Sequence, residues 1–209
     1  MKILIADDHT VVREGLKVIL SKLTGVAQIE EVTNGTAALK KIENNIYDLV
    51  ILDISLPGMS GLEILKNLKN RNIVTPVLIL SMHPEEQYAL RALRSGASGY
   101  VTKDRAGEEL LAAIRKISSG GRYLSAELTE YIAFNFDKKT ELLLQEKLSE
   151  REFEVMLLLA RGRSVKEIAG ELIISEKTVG THRAKIMNKM GIKKNSELII
   201  YAMNNKLIE

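Results

Sequence analysis

From residue 2 to about residue 120 the chain alternates short aliphatic runs with amphipathic stretches of helical period, the pattern of strands in a parallel sheet joined by covering helices. The runs predict five strands, at residues 2–7, 28–33, 48–53, 76–81 and 98–102. The stretches between and after them predict helices near 11–22, 35–44, 61–70, 85–95 and 107–119. Three of the strands are continuous aliphatic runs, as burial on both faces of a sheet requires. The fold class expected is therefore α/β, a doubly wound parallel five-stranded sheet, followed by an all-α part.

The all-α part follows a break. Gly120-Gly121 ends the last helix of the first part, and the segment to residue 146 has a linker-like centre, Asp137-Lys138-Lys139-Thr140, preceded by a short helix over 125–136. From Leu148 onward only helical patterns remain. Ser149-Glu150-Arg151-Glu152 and Ser164-Val165-Lys166-Glu167 form capping boxes, and Asn195 is expected to cap a last helix. The organisation expected is one domain over 1–120, a partly helical linker over 121–146 and a second domain over 147–209.

Composition narrows the function. Hydrophobic residues make up 45% and charged residues 27%, ordinary globular usage that lets both parts build a core. The chain has no cysteine, which excludes disulfides and thiolate metal sites. The apolar run at Met1-Lys2-Ile3-Leu4-Ile5-Ala6 stops at Asp7-Asp8, too short for a signal peptide, and no later run is long enough for a membrane span. A cytoplasmic protein with no membrane partner is expected. The net charge of +3 lies in the second part, and residues 177–194 carry six basic residues with no acidic one, a field suited to a polyanion. A solvated helix face is the plainer reading of that charge alone.

Ligands of an open parallel sheet bind at the carboxyl ends of its strands. There the sequence places Asp7 and Asp8 after the first strand, Asp53 after the third, Ser81 at the end of the fourth and Lys103 after the fifth. Any one of these acids alone is as readily a helix cap. Together they form an all-oxygen cluster beside a lysine, suited to Mg²⁺ and to Asp53 acting as nucleophile on a phosphoryl donor. A phosphohydrolase with an Asp-x-Asp pair does not fit, since Ile54-Ser55 follow Asp53.

The Asp7-Asp8 pair, Asp53-x-x-x-Pro57-Gly58, Ser81 and Lys103 resemble the receiver domain of bacterial two-component response regulators over residues 1 to 120. The resemblance implies that Asp53 is the phosphoacceptor, that Asp7, Asp8 and Asp53 hold Mg²⁺, and that Lys103 pairs with the phosphoryl group. It also implies that Ser81 is the switch hydroxyl, that Tyr100 changes rotamer, and that a histidine kinase is the partner. The Lys103-Asp104 bond departs from the cis Lys-Pro of many receivers.

In the second part, helical patterns at 165–172 and 176–190 flank Ile173-Ile174-Ser175, the short connection of a helix-turn-helix. Leu148-Ser149-Glu150-Arg151-Glu152, Lys166-Glu167-Ile168-Ala169 and Ile174-Ser175-Glu176-Lys177-Thr178-Val179 are similar to the LuxR-type DNA-binding domain, so the whole chain resembles the NarL/FixJ family. The resemblance implies a transcription regulator rather than a metabolic enzyme, with double-stranded DNA as partner and a homodimer formed on phosphorylation or on DNA. Lys177, Thr178, Thr181, Arg183, Lys185 and Lys189 are the expected DNA contacts, and Leu198, Ile199 and Ala202 a candidate dimer seam. Gly180 stands where relatives carry a long polar side chain. His83 and His182 read as ordinary polar residues; an all-helical protein-binding module is the rival for this part.

Overall fold

The computed structural model describes residues 1–135, 144–205 and 207–208, with the backbone alone at 131–135 and 146. The chain divides into two compact units, Met1–Asn135 and Phe136–Glu209. The first holds strands β1 (Lys2–Ala6), β2 (Gln28–Val32), β3 (Leu49–Leu52), β4 (Val77–Ser81) and β5 (Gly99–Thr102) in one parallel sheet of order β2-β1-β3-β4-β5. Each crossover is a helix: α1 (Thr10–Leu20), α2 (Gly35–Asn44), α3 (Gly61–Asn70) and α4 (Glu85–Arg94), with α5 (Ala106–Ser118) after β5.

Alternation along the strands sends odd and even residues to opposite faces. Ile3, Ile5, Leu49, Ile51, Leu78 and Leu80 meet Leu16 and Leu20 of α1 and Leu110, Ile114 and Ile117 of α5. Leu4, Val50, Leu52 and Ile79 are equally buried, on the face that α2, α3 and α4 cover. That is why β3 is wholly aliphatic and β1 and β4 are so apart from Lys2 and Ser81 at their ends, while the edge strand β2 carries Glu30 and Glu31.

The loop after β3 is held close to the sheet by small residues. A Cβ on Gly61 would lie 2.4 Å from the carbonyl oxygen of Asp53, and one on Gly35 would lie 1.8 Å from that of Met59, so only glycine permits both approaches. The Ser60 hydroxyl accepts from the Glu63 N–H while the Glu63 carboxylate accepts from the Ser60 N–H, starting α3 at the point where the chain leaves the site.

The segment after Gly121, expected to be linker, instead continues the first unit. Tyr123 bridges to Gly99, and its N–H donates to the Ser98 carbonyl at 2.9 Å. Helix α6 (Ala126–Asn135) follows. Ser125 caps it, its hydroxyl accepting from the Leu128 N–H at 3.0 Å and donating to the Glu85 carboxylate of α4 at 2.7 Å. Burial pushes Glu85 above the usual carboxyl range. The expected helix thus forms, although Phe136 and the linker centre Asp137-Lys138-Lys139-Thr140 lie outside the described residues.

Among its described residues the second unit has a 3₁₀ turn at Leu144–Lys147 and four helices: α7 (Glu150–Ala160), α8 (Val165–Glu171), α9 (Glu176–Met190) and α10 (Asn195–Asn204). The capping boxes at Ser149 and Ser164 are both formed, and Ser175 caps α9. Phe153, Met156, Ile168, Val179, Ile186, Leu198 and Ala202 make its core. Asn195 does not cap α10. Lys194 precedes that helix without a side-chain cap, and the Asn195 amide oxygen accepts from Arg183 instead.

Candidate functional site

At the carboxyl edge of the sheet the geometry of one parallel strand order brings Asp7, Asp8, Asp53, Ser81 and Lys103 together. Asp7 follows β1, with its N–H on the Val32 carbonyl; Asp53 follows β3, with its N–H on the Ala6 carbonyl at 2.9 Å. Both acids are nearly sealed, at 2% and 3% exposure. The Lys103 ammonium lies 2.6 Å from Asp53 Oδ2 and 2.8 Å from Asp7 Oδ2. Burial pulls Lys103 down, but the Asp53 and Asp7 carboxylates outweigh it and hold the ammonium above the usual lysine value. One cation therefore faces two buried carboxylates, with Asp8 at the rim.

Ligand atoms of Asp7, Asp8, His9 and Asp53 all lie within 4.8 Å of one another. Asp7 Oδ2 is buried and met by Lys103 at 2.8 Å, so three carboxylates share one ammonium. An all-oxygen cluster left with an excess of negative charge is the environment a hard divalent cation satisfies, so the donor set fits Mg²⁺. His9 escaped the sequence reading. Its Nδ1 lies 2.8 Å from Asp8 Oδ1, and its adjacency to the Asp pair was the available signal.

The remaining predicted residues frame the pocket. Ser81 is fully buried, its hydroxyl accepting from the His83 N–H at 3.2 Å. Tyr100 is also fully buried, and its hydroxyl donates to the His83 carbonyl at 2.8 Å. Ser55 Oγ lies 2.9 Å from His83 Nε2, and the His83 ring stacks on Tyr88 at 4.3 Å. Both neighbours of the predicted switch thus act on one residue of the β4–α4 loop.

In the second unit the helix-turn-helix is α8, the turn Leu172–Ser175 and α9. Lys177, Thr178, Thr181, Arg183 and Lys185 are exposed on α9. Two of the expected DNA contacts are engaged elsewhere. Lys189 donates to the buried Glu152 carboxylate of α7 at 2.6 Å, and the Arg183 guanidinium holds Asn195 at 3.1 Å. Lys189 thus ties α9 to α7 while its side chain stays 40% exposed. Burial pushes Glu152 up, but Lys189 and the Ser149 N–H bring it below the usual range. Burial also holds His182, which faces α7, below the usual histidine value.

The dimer seam is corrected. Leu198 and Ala202 are 0% exposed within their own unit, so neither is available to a second copy, and Ile199 is only partly accessible. The exposed apolar positions of α10 are Ile200 and Met203, at 58% and 54%. The apolar spacing of α10 was visible in the sequence, but not which side the core takes.

Residues 3–115 match the response regulator receiver domain, and residues 146–202 match the bacterial regulatory proteins of the luxR family. The chain belongs to the response regulators. It is similar over its full length, and that of the relative, to the oxygen regulatory protein NreC of Staphylococcus aureus, at 38% identity. Among solved structures of response regulators, ChrA of a heme-sensing two-component system shares 32% identity with a TM-score of 0.52, covering 99% of this chain and 98% of that one. RcsB of Salmonella enterica serovar Typhimurium, bound to a promoter in the presence of phosphomimetic beryllofluoride, shares 26% identity with a TM-score of 0.60, covering 96% and 97%.

Proposed function

We propose that Asp53 accepts a phosphoryl group and that this modification controls binding of duplex DNA by α9. The observation that carries the reading is the buried Asp53 carboxylate held 2.6 Å from Lys103 beside a second buried acid, Asp7. The donor is a histidine kinase or a small acyl phosphate. An Asp53 oxygen attacks phosphorus as the bond to the donor breaks: from phosphohistidine the imidazole nitrogen keeps the electron pair and takes up a proton, and from an acyl phosphate the acyl oxygen keeps it and leaves as a carboxylate. Asp7, Asp8 and Asp53 hold Mg²⁺, which supplies positive charge to the phosphoryl oxygens. Lys103 follows the charge from the carboxylate to the new phosphoryl group. Water later hydrolyses the acyl phosphate slowly, returning the carboxylate.

Ser81 and Tyr100 transmit the change. Both hydroxyls hold His83, so a Ser81 hydroxyl drawn toward a phosphoryl oxygen moves the β4–α4 loop. The promoter complex of RcsB supports the same role for the second unit here. A homodimer on DNA reads half-sites spaced about one helical turn apart, and no described helix is long and apolar enough to cross a membrane, in keeping with cytoplasmic work. The test is acid-stable, base-labile phosphorylation in Mg²⁺ and its loss in Asp53→Asn, read together with the affinity of full-length protein for duplex DNA. Undiminished labelling of the variant refutes the acceptor.

A further inference from the structure

The middle of the face that α9 offers to DNA carries few hydrogen-bonding side chains, Lys177 and Asn188 standing at its two ends. Val179, Ile186 and Met190 define its inner side. Opposite them Lys177, Thr181, Ala184 and Asn188 follow one another at helical spacing, flanked by Gly180, and all five are exposed. At the middle of this face stand a glycine, a threonine and an alanine. The threonine hydroxyl already donates, Thr181 Oγ1 to the Lys177 carbonyl at 3.0 Å. The nearby Thr178 hydroxyl is likewise bonded to Ser175 Oγ at 2.8 Å. Arg183 and Lys189 are committed to Asn195 and Glu152.

Gly180 has no packing reason. A Cβ there would meet nothing within 4 Å, and the residue is ordinary helix. Glycine weakens a helix interior, so its smallness is useful only toward whatever lies outside. In a major groove, small and apolar groups do two things: they let the helix backbone sit deeper, and they contact the thymine 5-methyl, the one apolar feature on a base edge.

We infer that α9 selects its sites chiefly through thymine methyl groups met by Thr181 and Ala184, with Gly180 permitting the close approach, rather than through hydrogen bonds to base edges. This rests on the reading that α9 enters DNA. Lys177 and Lys185 supply phosphate attraction, which is blind to sequence.

Selection from a random duplex library by full-length protein with Mg²⁺ and beryllofluoride yields the duplex for the test. That duplex is remade with deoxyuridine in place of one thymidine at a time, which removes only the methyl, and affinities are compared at fixed salt. One or more positions should weaken by about fourfold, the value of one buried methyl-sized group. Thr181→Ser, which keeps the hydroxyl, should weaken the thymine duplex by a similar factor and leave the uracil duplex unchanged. Indifference to uracil, or equal weakening of both duplexes by Thr181→Ser, overturns the inference while leaving DNA binding by α9 intact. Selection of no duplex refutes DNA binding itself, and the inference with it.

Discussion

Ser55 and His83 join hands across the phosphoryl pocket, Oγ to Nε2 at 2.9 Å, although they come from different loops. The Ser55 N–H also reaches Asp53 Oδ1 at 3.3 Å, and the His83 N–H reaches Ser81 Oγ. The pair therefore bridges the loop that follows Asp53 and the loop that follows Ser81. Replacing both by alanine should shorten the lifetime of phosphorylated Asp53 severalfold, measured as loss of radiolabel at fixed Mg²⁺. An unchanged lifetime shows that water enters elsewhere.

Mg²⁺ should stabilise the first unit by mass action, since it relieves repulsion between Asp7, Asp8 and Asp53 that one lysine only partly offsets. At a hundredfold excess over its dissociation constant the gain is about 2.7 kcal/mol. The shift in thermal unfolding on adding Mg²⁺ should be much smaller in Asp53→Asn. An equal shift in the variant places the metal somewhere else.

Lysines on α9 should separate into two classes. Losing Lys177 and Lys185 together should lower the salt slope of duplex binding by about two units at most, without affecting folding. Lys189→Ala should instead destabilise the second unit by about 1–2 kcal/mol, because it strips the buried Glu152 carboxylate of a partner. Denaturant unfolding of full-length protein beside a salt titration distinguishes the two effects.

At the edge strand, Glu30 is held down to about 2 by Lys41 and Lys2, with a further bond from the Tyr47 hydroxyl, against the opposing effect of burial. A carboxyl lowered on folding contributes stability that is present above its ordinary value of 4.5 and lost as pH falls through about 2. Glu30→Gln should therefore lower the unfolding temperature at pH 7 and converge with the parent chain toward pH 2. A difference that persists unchanged into acid refutes the linkage.

The turn of the helix-turn-helix stores strain. Ile173 has φ +54°, a left-handed conformation that a β-branched side chain disfavours, and it is 91% exposed. Ile173→Gly should stabilise the second unit by about 0.5–1 kcal/mol, the relieved strain of about 1–2 kcal/mol being reduced by the extra freedom of glycine in the unfolded chain. A lower midpoint in denaturant refutes this.

Much of this was legible along the chain because it depends on local pattern. The aliphatic runs of β1, β3 and β4 located the strands to within a residue or two, and with them the acids at their ends, since a parallel sheet places every carboxyl end on one edge. Ser149, Ser164 and Ser175 marked helix starts for the same local reason. Pairings between distant residues were not legible. Nothing in the sequence says that Lys189 meets Glu152, that Arg183 meets Asn195, or that Ser125 ties α6 to Glu85, because each depends on how helices face one another. The α10 stripe shows the limit: its apolar spacing is plain, but only packing decides that Leu198 faces inward and Ile200 outward.

Position 180 carries a consequence for how such a regulator changes over generations. Almost any other residue there would strengthen α9, alanine by about 1 kcal/mol, and would collide with nothing in the protein. Folding thus favours replacement, and under the inference drawn above a side chain at this position would meet DNA. One codon would then alter the address, and the architecture would be none the worse.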